Sequence, residues 1–190
     1  MKWLNISTLK SKEFICGHCG ANVSSDKGYF ATTDRDSIQE AVIMICHKCG
    51  KPSYIHKDGE QVPGPMIGEE ITDLPEDINS LYNEVRRAYS VNAFTCSVLC
   101  ARKILMHVAI SKGAKEKQKF EYYVDYIAEN DIIPKHTKPW VDKIRDAGNE
   151  TNHEVKSNTE EEASEIIEFL GMLLKLVYQY PARMKNKESN

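Results

Sequence analysis

The sequence predicts a mainly α protein, a helical bundle preceded by a small β-rich module built around a metal, and three observations carry this. Two knuckles, CGHCG with Cys16 and Cys19 and CHKCG with Cys46 and Cys49, fall in a turn-rich opening whose GYFATT and EAVIMIC stretches have strand composition. The run HKDGEQVPGPMIGEEITDLPED then holds too many glycines and prolines for a helix or a central strand. From Pro75 onward, apolar residues recur at helical spacing almost to the C-terminus. The expected organisation is a ribbon module over 1–57, a linker over 58–73, a helical bundle over 74–183 and a disordered tail over 184–190.

In the module, a two-residue spacer in a tight turn points both cysteines of a knuckle at one centre. The glycine after each second cysteine permits the positive φ that turns backbone N–H groups toward sulfur. Two such knuckles complete a tetrahedral sulfur site, and one structural Zn²⁺ per chain, held by Cys16, Cys19, Cys46 and Cys49, is the expected cofactor. Zinc accepts four thiolates without redox chemistry, and a module this small needs a metal to fold. Paired disulfides would require an oxidising compartment that nothing else in the chain indicates, and a thioredoxin-like motif leaves the second knuckle unexplained. Four thiolates leave no open coordination position, so catalysis at this metal is not expected. His18, His47 and His56 are read as spacer or surface residues beside the alternative of spare ligands. Cys96 and Cys100, four apart on a helix with His107 beyond them, read as core cysteines rather than a second metal site.

The first helix is expected to open at Asp73, with Pro75 in its first turn, and to bury Ile78, Leu81, Val85 and Tyr89. A long apolar helix follows from Asn92 to Gly113, as a central bundle helix requires. Phe120, Tyr123, Val124, Ile127 and Ala128 mark one face of a third. The fourth starts near Thr137, tolerates Pro139 in its first turn and buries Trp140 and Ile144. Thr159 and Glu162 form a capping box for the fifth, which is expected to end before Pro181.

The chain has 41% hydrophobic and 28% charged residues and a net charge of −3, the composition of a globular protein that does not coat nucleic acid by positive charge alone. Lys112, Lys115, Lys117 and Lys119 read as a solvated surface. No apolar run reaches the length of a membrane span, and MKWLNISTLKSKEF lacks a secretory core, so a cytoplasmic location without membrane contact is expected.

From about Leu74 to Tyr180 the chain resembles the bacterial domain-of-unknown-function 4145 family. The matching stretches are LPEDINSLYNEVRRAY, AFTCSVLCARKIL with Arg102, YIAENDIIP, IRDAGNETNH and the closing acidic-to-apolar helix. That family in turn resembles the HEPN superfamily (higher eukaryotes and prokaryotes nucleotide-binding) of helical bundles. The resemblance implies a HEPN-like bundle, a homodimer, and a place in antiphage or toxin–antitoxin-like defence or stress systems. It also implies an arginine and histidine that act on RNA without metal, arginine stabilising phosphate charge and histidine moving a proton.

Here the pattern departs. With Asn149 and His153 in the places of the superfamily's asparagine and histidine, Gly148 stands where arginine is expected, and the nearest arginine is Arg145. The candidate catalytic set is therefore Arg145, Asn149 and His153, against a structural reading in which Arg145 pairs with Asp142 or Glu150 and the others cap or join helices. The preferred expectation is binding of RNA or a nucleoprotein partner. A metal-independent ribonuclease and a non-catalytic dimeric adaptor stand as alternatives.

Overall fold

The computed structural model describes residues 2–33, 38–147 and 157–188. The fold class is mixed rather than mainly α, because the N-terminal part forms a complete antiparallel sheet of its own. The chain divides into two compact units, one of residues 1–67 with 89–92 and one of 68–88 with 93–190.

In the first unit five strands follow one another as a meander, β1 (Ser7–Ile15), β2 (Asn22–Thr32), β3 (Gln39–Ile45), β4 (Pro52–His56) and β5 (Gln61–Val62). β2 and β3 contain the two stretches of strand composition. β1, read STLKSKEFI, is too charged to announce itself, and it pairs with β2 through a register shift between Thr8 and Lys12. The sheet also runs past the expected module boundary at residue 57. The Asp58–Gly59 turn returns the chain so that Gln61 and Val62 pair with Ile55 and Tyr54. Alternation along the strands puts Phe14, Val23, Val42, Met44 and Ile55 on one face, where they form a small core with Cys16 and Cys46.

In the second unit the described helices are α1 (Glu76–Ser90), α2 (Phe94–Ser111), α3 (Phe120–Glu129), α4 (Lys138–Ala147), α5 (Glu160–Leu174) and α6 (Tyr180–Glu188). α2 is the hub: it packs against α3 and α5, α3 packs against α4, and Ser97 Oγ donates to the Val85 carbonyl of α1 at 2.9 Å. Tyr82, Ile104, Leu105, Tyr123, Ile127, Ile144, Phe169 and Leu170 are fully buried among them. On α1 it is Tyr82, with Ile78 and Val85, that takes the buried stripe, while Leu81 is only half-buried. Trp140 meets Phe169 edge-on at 5.5 Å between ring centroids, and the Arg102 guanidinium lies 4.4 Å over the Phe120 ring. By length and composition α2 could cross a membrane. Its middle nevertheless carries Arg102 and Lys103, and its Val98–Leu105–Val108 face is buried in this core.

The capping box of α5 is formed, with Glu162 N–H donating to Thr159 Oγ1 and Thr159 N–H to the Glu162 carboxylate. Pro181 does not end this helix. A π-helical segment, Lys175–Gln179, intervenes, and Pro181 is the second residue of α6, which follows it without a break. Helix therefore also covers residues 184–188, which were expected to be disordered.

Candidate functional site

The two knuckles are built alike. Each leaves a strand, turns through C-x-x-C and closes with a backbone bond from glycine to the first cysteine's carbonyl, Gly20 N–H to Cys16 O and Gly50 N–H to Cys46 O, both 2.8 Å. Gly20 and Gly50 have φ of 69° and 71°, the left-handed conformation that the motif demands. A second bond from each first cysteine, Cys16 N–H to Ala21 O and Cys46 N–H to Lys51 O, leads the chain into β2 and β4. The knuckles differ in their cover. A Cβ at Gly17 would lie 2.3 Å from the Gly64 carbonyl oxygen, so the 63–64 segment lies directly over the first turn. The matching residue of the second turn, His47, is exposed.

The four sulfurs converge, all within 4.8 Å of one another. Across the knuckles, Cys16 Sγ lies 3.8 Å from Cys49 Sγ and Cys19 Sγ lies 3.9 Å from Cys46 Sγ. Four thiolates at about 2.3 Å around a tetrahedral ion stand about 3.8 Å apart, and a disulfide would need about 2.0 Å, so the spacing fits a shared metal and not paired disulfides. All four cysteines are free.

The electrostatics agree with a set that needs a cation. Burial pushes the Cys16 thiol up to about 12, against the backbone N–H groups of His18 and Cys19. Burial also raises Cys49. At Cys46 burial acts the same way but is outweighed by the N–H groups of Cys49 and Lys48, which hold that thiol below its ordinary value. Backbone N–H groups thus work against burial at each of these three thiols and prevail only at Cys46, and a bound cation would add to them in favouring thiolates.

Two of the three nearby histidines have structural partners. His18 Nε2–H donates to the Pro52 carbonyl at 2.9 Å and ties the first knuckle to β4, and His56 Nδ1 lies 2.9 Å from the Asp58 carboxylate in the β4–β5 turn. Among the described residues, no other group of three or more potential ligands gathers. Cys96 is exposed and Cys100 half-buried on α2, so the pair is less enclosed than core cysteines.

Sequence reasoning missed the other feature of this unit. Tyr29, Ile43, Tyr54 and Val62 pair directly across β2, β3, β4 and β5 and so form one continuous row on the face opposite the core. Ile43, Tyr54 and Val62 are 37%, 39% and 50% exposed. Trp3 adds an edge-on contact to Tyr29, whose hydroxyl donates to the Leu4 carbonyl. The signal lay in alternation: each of these residues is two away from others of its own face, but the register that aligns them is set by turns.

Of the candidate catalytic set, Arg145 lies on the last turn of α4, and Asn149 and His153 lie outside the described residues. Arg145 Nη1 is 3.1 Å from Asp142 Oδ1 and 3.4 Å from Asp125 Oδ1 on α3. The cleft around it, about 250 Å³, also holds Glu129. The guanidinium is thus already countered by two carboxylates, with that of Glu129 also lining the cleft. The lysines 112, 115, 117 and 119 are exposed around the α2–α3 turn, as a solvated surface requires.

Fold and site together define a two-part protein, a four-cysteine β-sheet module able to hold a metal ion and a helical domain. The chain belongs to the DUF4145 family (domain of unknown function): that family's model matches residues 83–190. No characterised protein and no solved structure matches it significantly.

Proposed function

We propose that this is a cytoplasmic zinc-ribbon protein of a bacterial defence or stress system, antiphage or toxin–antitoxin-like, whose ribbon binds an RNA or nucleoprotein partner. Its helical domain is HEPN-like and carries the homodimer. Zn²⁺ is the metal of the four-cysteine centre because four thiolates in a closed tetrahedron suit a d¹⁰ ion with no open position. Its role is to hold the sheet.

The observation that carries the reading is the row Tyr29–Ile43–Tyr54–Val62. A small sheet that exposes aligned aromatic and branched side chains offers a flat platform, suited to stacking bases or to an apolar partner surface. Dimerisation is supported by α2, which is apolar around most of its circumference and still exposes Cys96, Leu99 and Lys103 along one stripe. Binding of labelled single-stranded RNA, followed by anisotropy over a salt series without added metal, tests the reading. Tight, salt-dependent binding without cleavage supports it, and neither binding nor cleavage leaves the dimeric adaptor.

A second reading, the metal-independent ribonuclease, rests on Arg145 lying partly exposed in a cleft rather than in the core. In it Arg145 stabilises phosphate charge, His153 is the general acid or base and Asn149 positions one of them. The carboxylates of Asp125 and Asp142 weigh against it.

A further inference from the structure

A cleft larger than the one around Arg145 lies elsewhere in the helical unit and has no part in either reading. It occupies about 360 Å³ between the residues leading into α1 and the α5–π segment. Two glycines keep it open. Gly68 has a φ of +75°, and a Cβ there would stand 2.8 Å from Tyr82 Oη, while a Cβ at Gly171 would stand 3.5 Å from the same atom. A Cβ at Gly68 would crowd the Tyr82 hydroxyl, and at Gly171 a side chain longer than alanine would extend over it.

The polar groups are sorted by depth. Tyr82 is 1% exposed, and its phenol is held above its ordinary pKa by burial, with Arg86 opposing and Glu69 adding, so it remains an O–H donor at neutral pH. That hydroxyl donates to the Glu69 carbonyl at 3.2 Å, longer than the ~2.7–2.8 Å of a good O–H···O bond. Lys175, the first residue of the π segment, has a side chain only 21% exposed, and its Nζ donates to the Glu69 carboxylate at 2.6 Å. The Glu69 side chain is 77% exposed. The lysine side chain is thus mostly covered, while that of its counter-ion stands largely in solvent. Glu168, the other carboxylate of the cleft, is also exposed. Ile167, Met172, Leu176 and Tyr180 supply the apolar wall.

We propose that this cleft binds a small carboxylate with an apolar body, whose head group replaces the Glu69 carboxylate on Lys175 and takes the single Tyr82 O–H in place of the Glu69 carbonyl, while the body lies on Ile167, Met172, Leu176 and Tyr180. The sign of the head group follows from the sorting. Inside there are donors, and the acceptor side chains stand in water at the rim, so an ammonium would gain only solvated, weak pairs. The volume is near the lower end of ligand sites, roughly 300–1,000 Å³, which suits a short chain or a single ring. A π segment beside the cleft is the kind of helix irregularity that recurs at ligand sites.

The test titrates octanoate, octylamine and octanol separately into the full-length, zinc-loaded protein, with calorimetry and the Met172 methyl resonance as readouts. Octanoate should bind and shift Met172, with the amine and the alcohol at least about tenfold weaker. Lys175→Met should weaken octanoate about tenfold or more, and Gly171→Leu should abolish binding while helical circular dichroism is retained. Glu69→Gln should tighten octanoate, because it removes the competing counter-ion, a change that a purely structural ion pair would not give. Octylamine or octanol binding as well as octanoate, no octanoate binding to folded wild type, or unchanged or weaker binding in Glu69→Gln would each overturn the proposal. None of these outcomes bears on the ribbon.

Discussion

Cys16 and Cys49 belong to different knuckles, yet their sulfurs lie 3.8 Å apart, the edge length of a four-thiolate tetrahedron. This single contact ties β1 to the β3–β4 turn. Because the core of the first unit is small and two of its members are themselves cysteines, a metal at this point would join the sheet's halves where apolar burial alone is thin.

Gly17 separates the two knuckles. Gly17→Ala places a methyl against the carbonyls of Pro63 and Gly64, which are backbone and cannot rotate away. The expected cost is about 1–3 kcal/mol in the first unit. His47→Ala, at the matching exposed position, should be close to neutral. Chemical denaturation followed by Trp3 fluorescence, compared between the two variants, checks the asymmetry.

Thr159→Ala removes the oxygen that accepts from Glu162 N–H, while the backbone N–H of residue 159 can still donate to the Glu162 carboxylate. The loss should be about 1 kcal/mol and appear in the helical unit. Thr159→Ser should recover most of it. Urea unfolding monitored by helical circular dichroism reads both, and a neutral Thr159→Ala would mean the box is not formed in solution.

Arg145→Ala should leave RNA cleavage at wild-type background and cost at most about 1 kcal/mol of stability, since its ion pairs are partly solvated. Metal-free cutting that leaves a cyclic phosphate, and that vanishes in both Arg145→Ala and His153→Ala, would transfer the function to the ribonuclease reading.

Tyr54 stands at the centre of the exposed row, between Ile43 and Val62. Tyr54→Ala should weaken RNA or partner binding by about 1–3 kcal/mol while leaving zinc content unchanged. Anisotropy beside metal analysis of the same sample separates the two effects.

The gathering of the four cysteines and most helices were legible because their signals are local. C-x-x-C-G fixes a knuckle by itself, and Phe120, Tyr123, Val124 and Ile127 fix the buried face of α3 by spacing. What was not legible depends on partners distant in sequence. β1 carries Lys10, Lys12 and Glu13 because it lies at the sheet's edge, and its strand character comes from pairing with β2. Pro181 reads as a stop, yet the π segment before it lets the helix pass, a backbone adjustment with no residue signature. The pairing of Arg145 with Asp125 joins α3 to α4 across twenty residues and follows only from their packing.

The central claim is that a zinc ion at Cys16, Cys19, Cys46 and Cys49 builds the binding module, and metal analysis of full-length protein purified under reducing conditions tests it most directly. The account predicts one zinc per chain, lost in Cys16→Ser together with the dispersed amide resonances of β1 to β5, while the helical signal persists. Wild-type protein that contains no zinc, or a Cys16→Ser variant whose sheet resonances stay in place, would contradict it.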